Sequence, residues 1–564
     1  MAMLATECKS NGNLFQECTT EKEPLSPKQV YLSRKGAPKT PSKLKILGLA
    51  GDFSHLTRSD PFHVRKHGST YWTEIRAGIT TFLAMAYILP VNSGMLSIVI
   101  PGMKEQLVCA TALSACFGCC LMGVLSNYPF MLAPGMGTNA FFTFSIILGR
   151  GLPWQAGLAA VFVASWIFIL LSIIIGRGLP FVVRLIPTGV KDSIGAGVGL
   201  FLAFISFQSA EGMGISISDP ATLVALNPLG AGEYDAAKIW LSLLVLVLTA
   251  TLFVAKIPGA PLIGILFGTA VCWIEGAIRG EAGSVFGYPF GSNGDRNVPQ
   301  FHVYVPQGFV AAPTLAGLSG ALWEGFGAAV DPETASTFWT AVATFCYTDF
   351  LDSCGTFLVV AKVAGLTDSR GHLPLARQNM AYLADGIAAL VGSMLGVSTV
   401  TTYVESISGV ADGAKTGLAA IVTGACFFLA IFFAPLFSAI PPLASGPILC
   451  LLGSLMFGSV RGIDWDDLEE SLPAFLTIVT MPFTFGIGYG IIAGVVAWVV
   501  LQLILVPHRM KQGVHPFVRF RALWNAAWID GQEAAEDKTD VLVCADADAM
   551  PIGASAAQAE PDLV

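Results

Sequence analysis

Leu132-Ala-Pro-Gly-Met-Gly-Thr-Asn-Ala-Phe-Phe-Thr143 and Gly396-Val-Ser-Thr-Val-Thr-Thr-Tyr-Val-Glu-Ser-Ile-Ser-Gly409 are two short stretches set among long apolar segments. The first opens with a proline and two glycines, and the second is polar and β-branched, so neither forms a good helix over its first half. Irregular backbone is tolerated at membrane depth only where protein or a water-filled cavity satisfies its polar groups. A glycine-proline kink accounts for one such stretch. Two in matching places point to a binding site.

The surrounding composition places these stretches in a membrane. Of 564 residues, 54% are hydrophobic and 12% charged, with mean hydropathy +0.66. Soluble domains carry about twice that share of charge, so a soluble multidomain protein is excluded. Apolar runs of about twenty residues recur, each able to cross about 30 Å of hydrocarbon as a helix. They read at about 73–100, 107–128, 132–149, 154–176, 190–210, 238–255 and 259–278, and again at about 337–364, 380–396, 397–410, 415–440, 446–460, 472–485 and 486–507.

The expected fold is therefore an all-α polytopic membrane protein of about 14 spans. With seven spans on each side of a polar loop, the second half inserts upside down relative to the first, and the two irregular stretches become spans 3 and 10 of an inverted repeat. The domains read as a basic tail at 1–71, a first repeat at 72–278, an extracellular loop at 279–336, a second repeat at 337–507 and a tail at 508–564.

Charge sets the orientation. Arg177, Arg184, Lys191, Lys256, Lys362, Arg370, Arg377 and Arg461 fall on one side, and the opposite loops carry Glu211, Asp219, Glu233 and Asp235. Both termini are expected in the cytoplasm. The N-terminal run of Lys28, Arg34, Lys35, Lys39, Lys43, Lys45, Arg58, Arg65 and Lys66 fits the same rule, without nucleic acid as a partner. It contains no segment resembling a cleavable signal peptide. The net charge of −8 says little, because the charges sit in tails and loops. Cys116 and Cys119 form a Cys-x-x-Cys, but no second pair or histidine follows, so no metal is expected and the cysteines read as small packing residues.

Charged side chains inside a span cost about 2.5–3.5 kcal/mol each on insertion scales, so they require a reason. Asp349 and Asp352 stand three apart on one helix face. Glu405 and Asn139 sit at the two irregular stretches. Ionised carboxylates only accept hydrogen bonds, so they suit neutral ligands rich in N–H groups and repel anions. Asn139 both donates and accepts, as an edge of a heterocycle does. Asn139, Asp349 and Glu405 are the expected ligand contacts. Asp352, Thr402 and Phe350 are candidates for proton coupling or for supporting those contacts, with a structural hydrogen bond as the competing role of Asp352. A carboxyl group kept from water favours its neutral form and so can carry a proton.

Phe141, Phe142, Phe350 and Tyr403 are available to stack on a ligand, although phenylalanine in a span more often packs. Asp385 and Asp192 read as structural residues near span ends, and Asp412 and Lys415 as the brackets of a turn. The run from Gly409 to Thr416 has the wrong spacing for a phosphate loop and no strand before it, so an ATP-driven pump is unsupported. The glycines from Gly195 to Gly199 read as helix packing, and Asp464 to Glu470 as an interfacial helix.

Three stretches with these residues, Ala133-Pro-Gly-Met-Gly-Thr-Asn-Ala-Phe-Phe142, Thr348-Asp-Phe-Leu-Asp-Ser-Cys-Gly-Thr356 and Ser398-Thr-Val-Thr-Thr-Tyr-Val-Glu-Ser-Ile-Ser-Gly409, occur in order with Gly78-Ile-Thr-Thr-Phe-Leu-Ala-Met-Ala-Tyr87. In them the chain resembles the AzgA-like purine permeases of the wider nucleobase–ascorbate transporter group, over about 70–510. The resemblance implies two inverted seven-helix repeats arranged as core and gate domains. It also implies proton symport of adenine, guanine and hypoxanthine across a fungus-like plasma membrane, a possible homodimer, and a substrate role for Asn139, Asp349 and Glu405 by motif position. Cys354 departs from the pattern where a serine or threonine is expected.

The competing readings are an intramembrane aspartyl hydrolase, an anion transporter on the same fold and a channel. A hydrolase needs its aspartates on facing helices, an anion site wants a positive group near the second irregular stretch, and a channel has no need of paired acids at a closed site. No cofactor is expected beyond protons as the coupling ion.

Overall fold

The computed structural model describes residues 60–174, 187–208, 212–219, 223–227, 236–279, 288–289, 301–302, 308–318, 320–366 and 375–511. Most of the two tails, with Lys28, Arg34, Lys35, Lys39, Lys43, Lys45 and Arg58, lies outside the described residues. So do Arg177, Arg184, Glu211, Glu233, Asp235 and Arg370, and the side chains of Lys362 and Cys354.

The described residues are mostly helical: α1 Tyr71–Met85, α2 Ile88–Ser97 and α3 Lys104–Ser126, then strand β1 Leu132–Pro134 and the short helix α4 Met136–Ala140, which runs on as a π-helix over Phe141–Leu148. Next come α5 Trp154–Ile174, α6 Thr188–Phe207, α7 Ala236–Val254 and α8 Ala260–Arg279. The second half holds α9 Ala335–Ala364, α10 Leu375–Leu395, strand β2 Val400–Thr402 and the short helix α11 Ser406–Ala411. It ends with α12 Gly417–Ala430, α13 Pro442–Phe457, α14 Leu468–Phe483, α15 Ile487–Ile504 and α16 Val506–Lys511.

Among the described residues nine helices are long and apolar enough to cross a membrane. Large apolar side chains line outward faces, including Trp240, Val247 and Val254 on α7, Ile274 and Ile278 on α8, and Ile492 and Val496 on α15. Such faces suit lipid, where a helix satisfies its own backbone. This is a multi-pass membrane protein.

The helices sort into two groups by what they pack against. Helices α1, α2, α3, α5, α9, α10 and α12 pack on one another, as do α6, α7, α8, α13, α14 and α15. The groups meet in part through Phe144, whose ring lies 6.2 Å from that of Phe485 in the turn between α14 and α15. In the first group α3 and α12 approach at Gly123 and Gly417, where a Cβ on either would strike the other's main chain.

Polar side chains close the helix ends. Asn127 adopts a left-handed conformation after α3, and Arg377 donates to the carbonyls of Ser126 (3.0 Å) and Asn127 (2.5 Å). At the start of α12, buried Glu74 accepts from the N–H of Lys415 (3.0 Å) and Asn127 Oδ1 from that of Gly417 (2.8 Å). Asp412 and Lys415 do bracket a turn, with Asp412 held by Arg76 (3.2 Å) and Thr80 (2.8 Å).

Two expectations change. The acidic run at 464–470 makes no helix of its own: Asp467 caps α14 by accepting from Glu469 N–H (3.0 Å), and Glu469 and Glu470 form the first turn of that long helix, where acids suit the positive end of the helix dipole. Asp385 is not near a helix end. Helix α10 begins at Leu375, so Asp385 is midway along it and fully buried.

Candidate functional site

The two irregular stretches meet. Strands β1 and β2 pair antiparallel, with Leu132 opposite Thr402, Ala133 opposite Thr401 and Pro134 opposite Val400. Two flanking bonds extend the ladder, from Gly135 N–H to Thr399 O and from Tyr403 N–H to Met131 O, both 2.9 Å. The sequence dictates the extended form: proline disfavours a helical residue before it, and Val400, Thr401 and Thr402 are β-branched. The ladder satisfies the polar groups that the two strands turn toward each other, which an interior without water would otherwise leave unmade. A short helix leaves each strand, α4 carrying Asn139 and α11 following Glu405.

Helix α9 lies against β2 and brings its acids there. Asp349 is 2% exposed, and one of its carboxylate oxygens has no hydrogen-bond partner among the described residues. Asp352 and Asp385 are both near enough to act on it electrostatically, and Asp352 stands in the same relation to Glu405. Ser353 ties the cluster together. Its hydroxyl donates to Asp385 Oδ2 and lies 3.1 Å from the Thr401 hydroxyl of β2. Among the described residues the other oxygen of Asp385 and the hydroxyl of Thr402 are also buried without a partner. Glu405, partly exposed, accepts a 2.5 Å hydrogen bond from the hydroxyl of Tyr87, in the turn between α1 and α2.

Asn139 is fully buried and otherwise occupied. Its Nδ2 donates to Asn92 Oδ1, its Oδ1 accepts from Ser398, and Asn92 in turn donates to Thr111 (2.7 Å). The amide thus ties α4 to α2 and to the stretch before β2. The aromatic candidates are packed as well. The ring of Phe350 lies 6.1 Å from Phe168 and 6.4 Å from Tyr382. Phe141 and Phe142 both lean on Phe345, and the hydroxyl of Tyr403 donates to Pro134 O.

Asp349, Asp352, Thr402 and Glu405 are therefore gathered about the ladder, and the ring of Phe350 packs between α5 and α10. Ser353, Asp385, Tyr87, Asn92 and Ser398 complete the arrangement and were not singled out as ligand-site residues from sequence. Only Asp385 left a signal, as a charge in an apolar run. Buried polar atoms without partners are uncommon in native structures, and Asp349, Asp385 and Thr402 each carry one here. Acceptors in that position fit a small neutral ligand with N–H groups, or a proton.

A family model with the description Permease family, Xan_ur_permease, matches residues 73–493. The chain belongs to this permease family. It is 36% identical to the guanine/hypoxanthine permease PbuG of Bacillus subtilis, over 81% of this chain and 96% of that protein. It is 34% identical to the adenine permease AdeP of Escherichia coli, over 78% and 89%. The permease is also similar in fold, at 14% identity and a TM-score of 0.50, to the transmembrane domain of the cyanobacterial bicarbonate transporter BicA, with 75% of this chain and 97% of that one covered. As a permease it is a transporter, and the hydrolase reading is set aside. The bicarbonate likeness concerns the fold alone, and a site that gathers Asp349, Asp352, Asp385 and Glu405 is a poor host for an anion.

Proposed function

We propose that this permease imports purine nucleobases, adenine, guanine and hypoxanthine, by proton symport with alternating access. The observation that carries the reading is the oxygen of buried Asp349 that has no partner among the described residues, on the helix that packs against β2, in a chain whose relatives are named as guanine/hypoxanthine and adenine permeases. Asp349 and Glu405 accept N–H groups of the purine edge, the hydroxyl of Thr402 offers a further partner, and Asn139 holds the ladder in place. One of the acids, Asp352 among them, carries the proton. Its binding makes it cheaper to enclose the site, and no cofactor enters the cycle.

The matched order of helices before and after the 279–336 region supports two inverted seven-span repeats, with β1 and β2 at the breaks of spans 3 and 10. The two packing groups correspond to a core domain that holds the acids and a gate domain that moves against it. The placement follows from charge and resemblance: plasma membrane, both termini cytoplasmic, the segment at 279–336 outside, and a possible homodimer.

Cells lacking their own purine carriers test this. Expressing the chain confers uptake of radiolabelled adenine that guanine or hypoxanthine competes away, that rises as the medium is acidified and that a protonophore collapses. Uptake indifferent to both acid and protonophore would remove the proton from the cycle.

A further inference from the structure

The Cys-x-x-Cys of α3 holds no metal ligand set among the described residues, yet one of its thiols makes directed contacts. Cys119 is fully buried, and its sulfur lies 3.2 Å from the carbonyl oxygen of Leu132 and 3.3 Å from the nitrogen of Leu132. The register explains why. Met131, Ala133 and Gly135 turn their polar groups toward Tyr403, Thr401 and Thr399. In an antiparallel ladder the residue between two such positions turns both its N–H and its C=O outward. For Leu132 that direction is α3, deep in an apolar interior, where an unmade hydrogen bond is costly.

A thiol carries a weak donor and a weak acceptor on one atom, in a side chain the size of a small apolar one. Here the S–H donates to the carbonyl while the sulfur accepts the N–H, so one atom closes both groups. The seat is tight: a Cβ on neighbouring Gly118 would lie 2.9 Å from Leu132 Cβ.

We propose that Cys119 is a positioning residue of the transport site. Its thiol fixes β1 against α3 through Leu132, and so sets where Asn139 stands and, through the ladder, where β2 and Glu405 stand. The transport half of this inference rests on the purine reading, and the strand half does not.

Two substitutions in the full-length protein separate a bonding role from packing. Cys119→Val keeps bulk and removes both bonds, whereas Cys119→Ser keeps a donor and an acceptor. If packing alone mattered, valine would be tolerated and serine costly. The proposal requires the reverse. By amide hydrogen exchange of purified protein, the peptide holding Leu132 should exchange about tenfold faster in the valine variant and within about threefold of wild type in the serine variant. Cys119→Ala, also without the bonds, replaces valine if the branched side chain blocks folding. The KM for purine uptake should rise about tenfold in the bond-deleting variant at unchanged surface abundance, and serine should restore most of it. Wild-type exchange at Leu132 without the thiol, or a serine variant less protected than the valine one, would overturn the proposal. A wild-type chain that moves no purine would defeat the purine reading and leave the exchange result standing.

Discussion

Asp349→Asn lowers purine uptake by about 100-fold or more, with the protein still present at the cell surface. The substitution preserves shape, so α9 and its packing survive. It replaces an acceptor-only group by an amide that presents N–H toward the N–H groups of the ligand. A hydrogen bond to a charged group contributes about 1.5–3 kcal/mol, and a buried donor left unpaired costs about 1–3 kcal/mol. Together these amount to about two to four factors of ten in a rate or affinity. One oxygen of Asp349 has no partner among the described residues at 2% exposure, so nothing on that side absorbs the change. Initial rates of labelled adenine uptake, normalised to surface protein, measure the effect. A variant with wild-type kinetics would dismiss Asp349 from the site.

Gly417→Val acts on the fold instead, and its expected result is a protein that does not accumulate in the membrane. A Cβ at 417 would stand 2.7 Å from Gly123 Cα and 2.9 Å from Gly123 C, both backbone atoms without freedom to move. The reciprocal contact is as close: a Cβ at 123 would meet Ile421 Cγ1 at 2.9 Å. Helices α3 and α12 would have to part, opening the packing that also buries Glu74 and the start of α12. Overpacking of this kind costs about 1–3 kcal/mol where side chains can yield, and more against rigid backbone. Surface abundance below about a tenth of wild type is expected, read by immunoblot of membrane fractions. Normal abundance with normal uptake would show that the two helices tolerate separation.

Much of this was legible in the sequence, for definite reasons. The irregular stretches betrayed themselves because Pro134 and the run Val400-Thr-Thr402 are poor helix formers among residues that otherwise read as membrane helices. Asp349 and Glu405 stood out because charge inside an apolar run is rare. The pairing of Leu132 with Thr402 was not legible, since register between distant segments leaves no local trace. Asp385 was seen but misplaced, because the polar start of α10 at Leu375 hid a full turn of helix and moved the acid to the apparent end of the span. Tyr87 and Asn92 carry no signal of their own. Their importance lies in partners far along the chain, Glu405 and Asn139. Phe350 neighbours Asp349 in sequence, yet one residue along a helix turns a side chain by about 100°. Its ring meets Phe168 and Tyr382.

Purified protein in sealed liposomes, neutral inside and acid outside, offers the most direct measurement, with labelled adenine added to the outside and Asp349→Asn liposomes in parallel. Wild-type vesicles should concentrate adenine above the external level until a protonophore discharges the gradient, and the variant vesicles should only equilibrate slowly or not at all. Absence of accumulation of adenine, guanine and hypoxanthine alike by wild-type vesicles, or equal accumulation by the variant, would contradict purine–proton symport through these carboxylates.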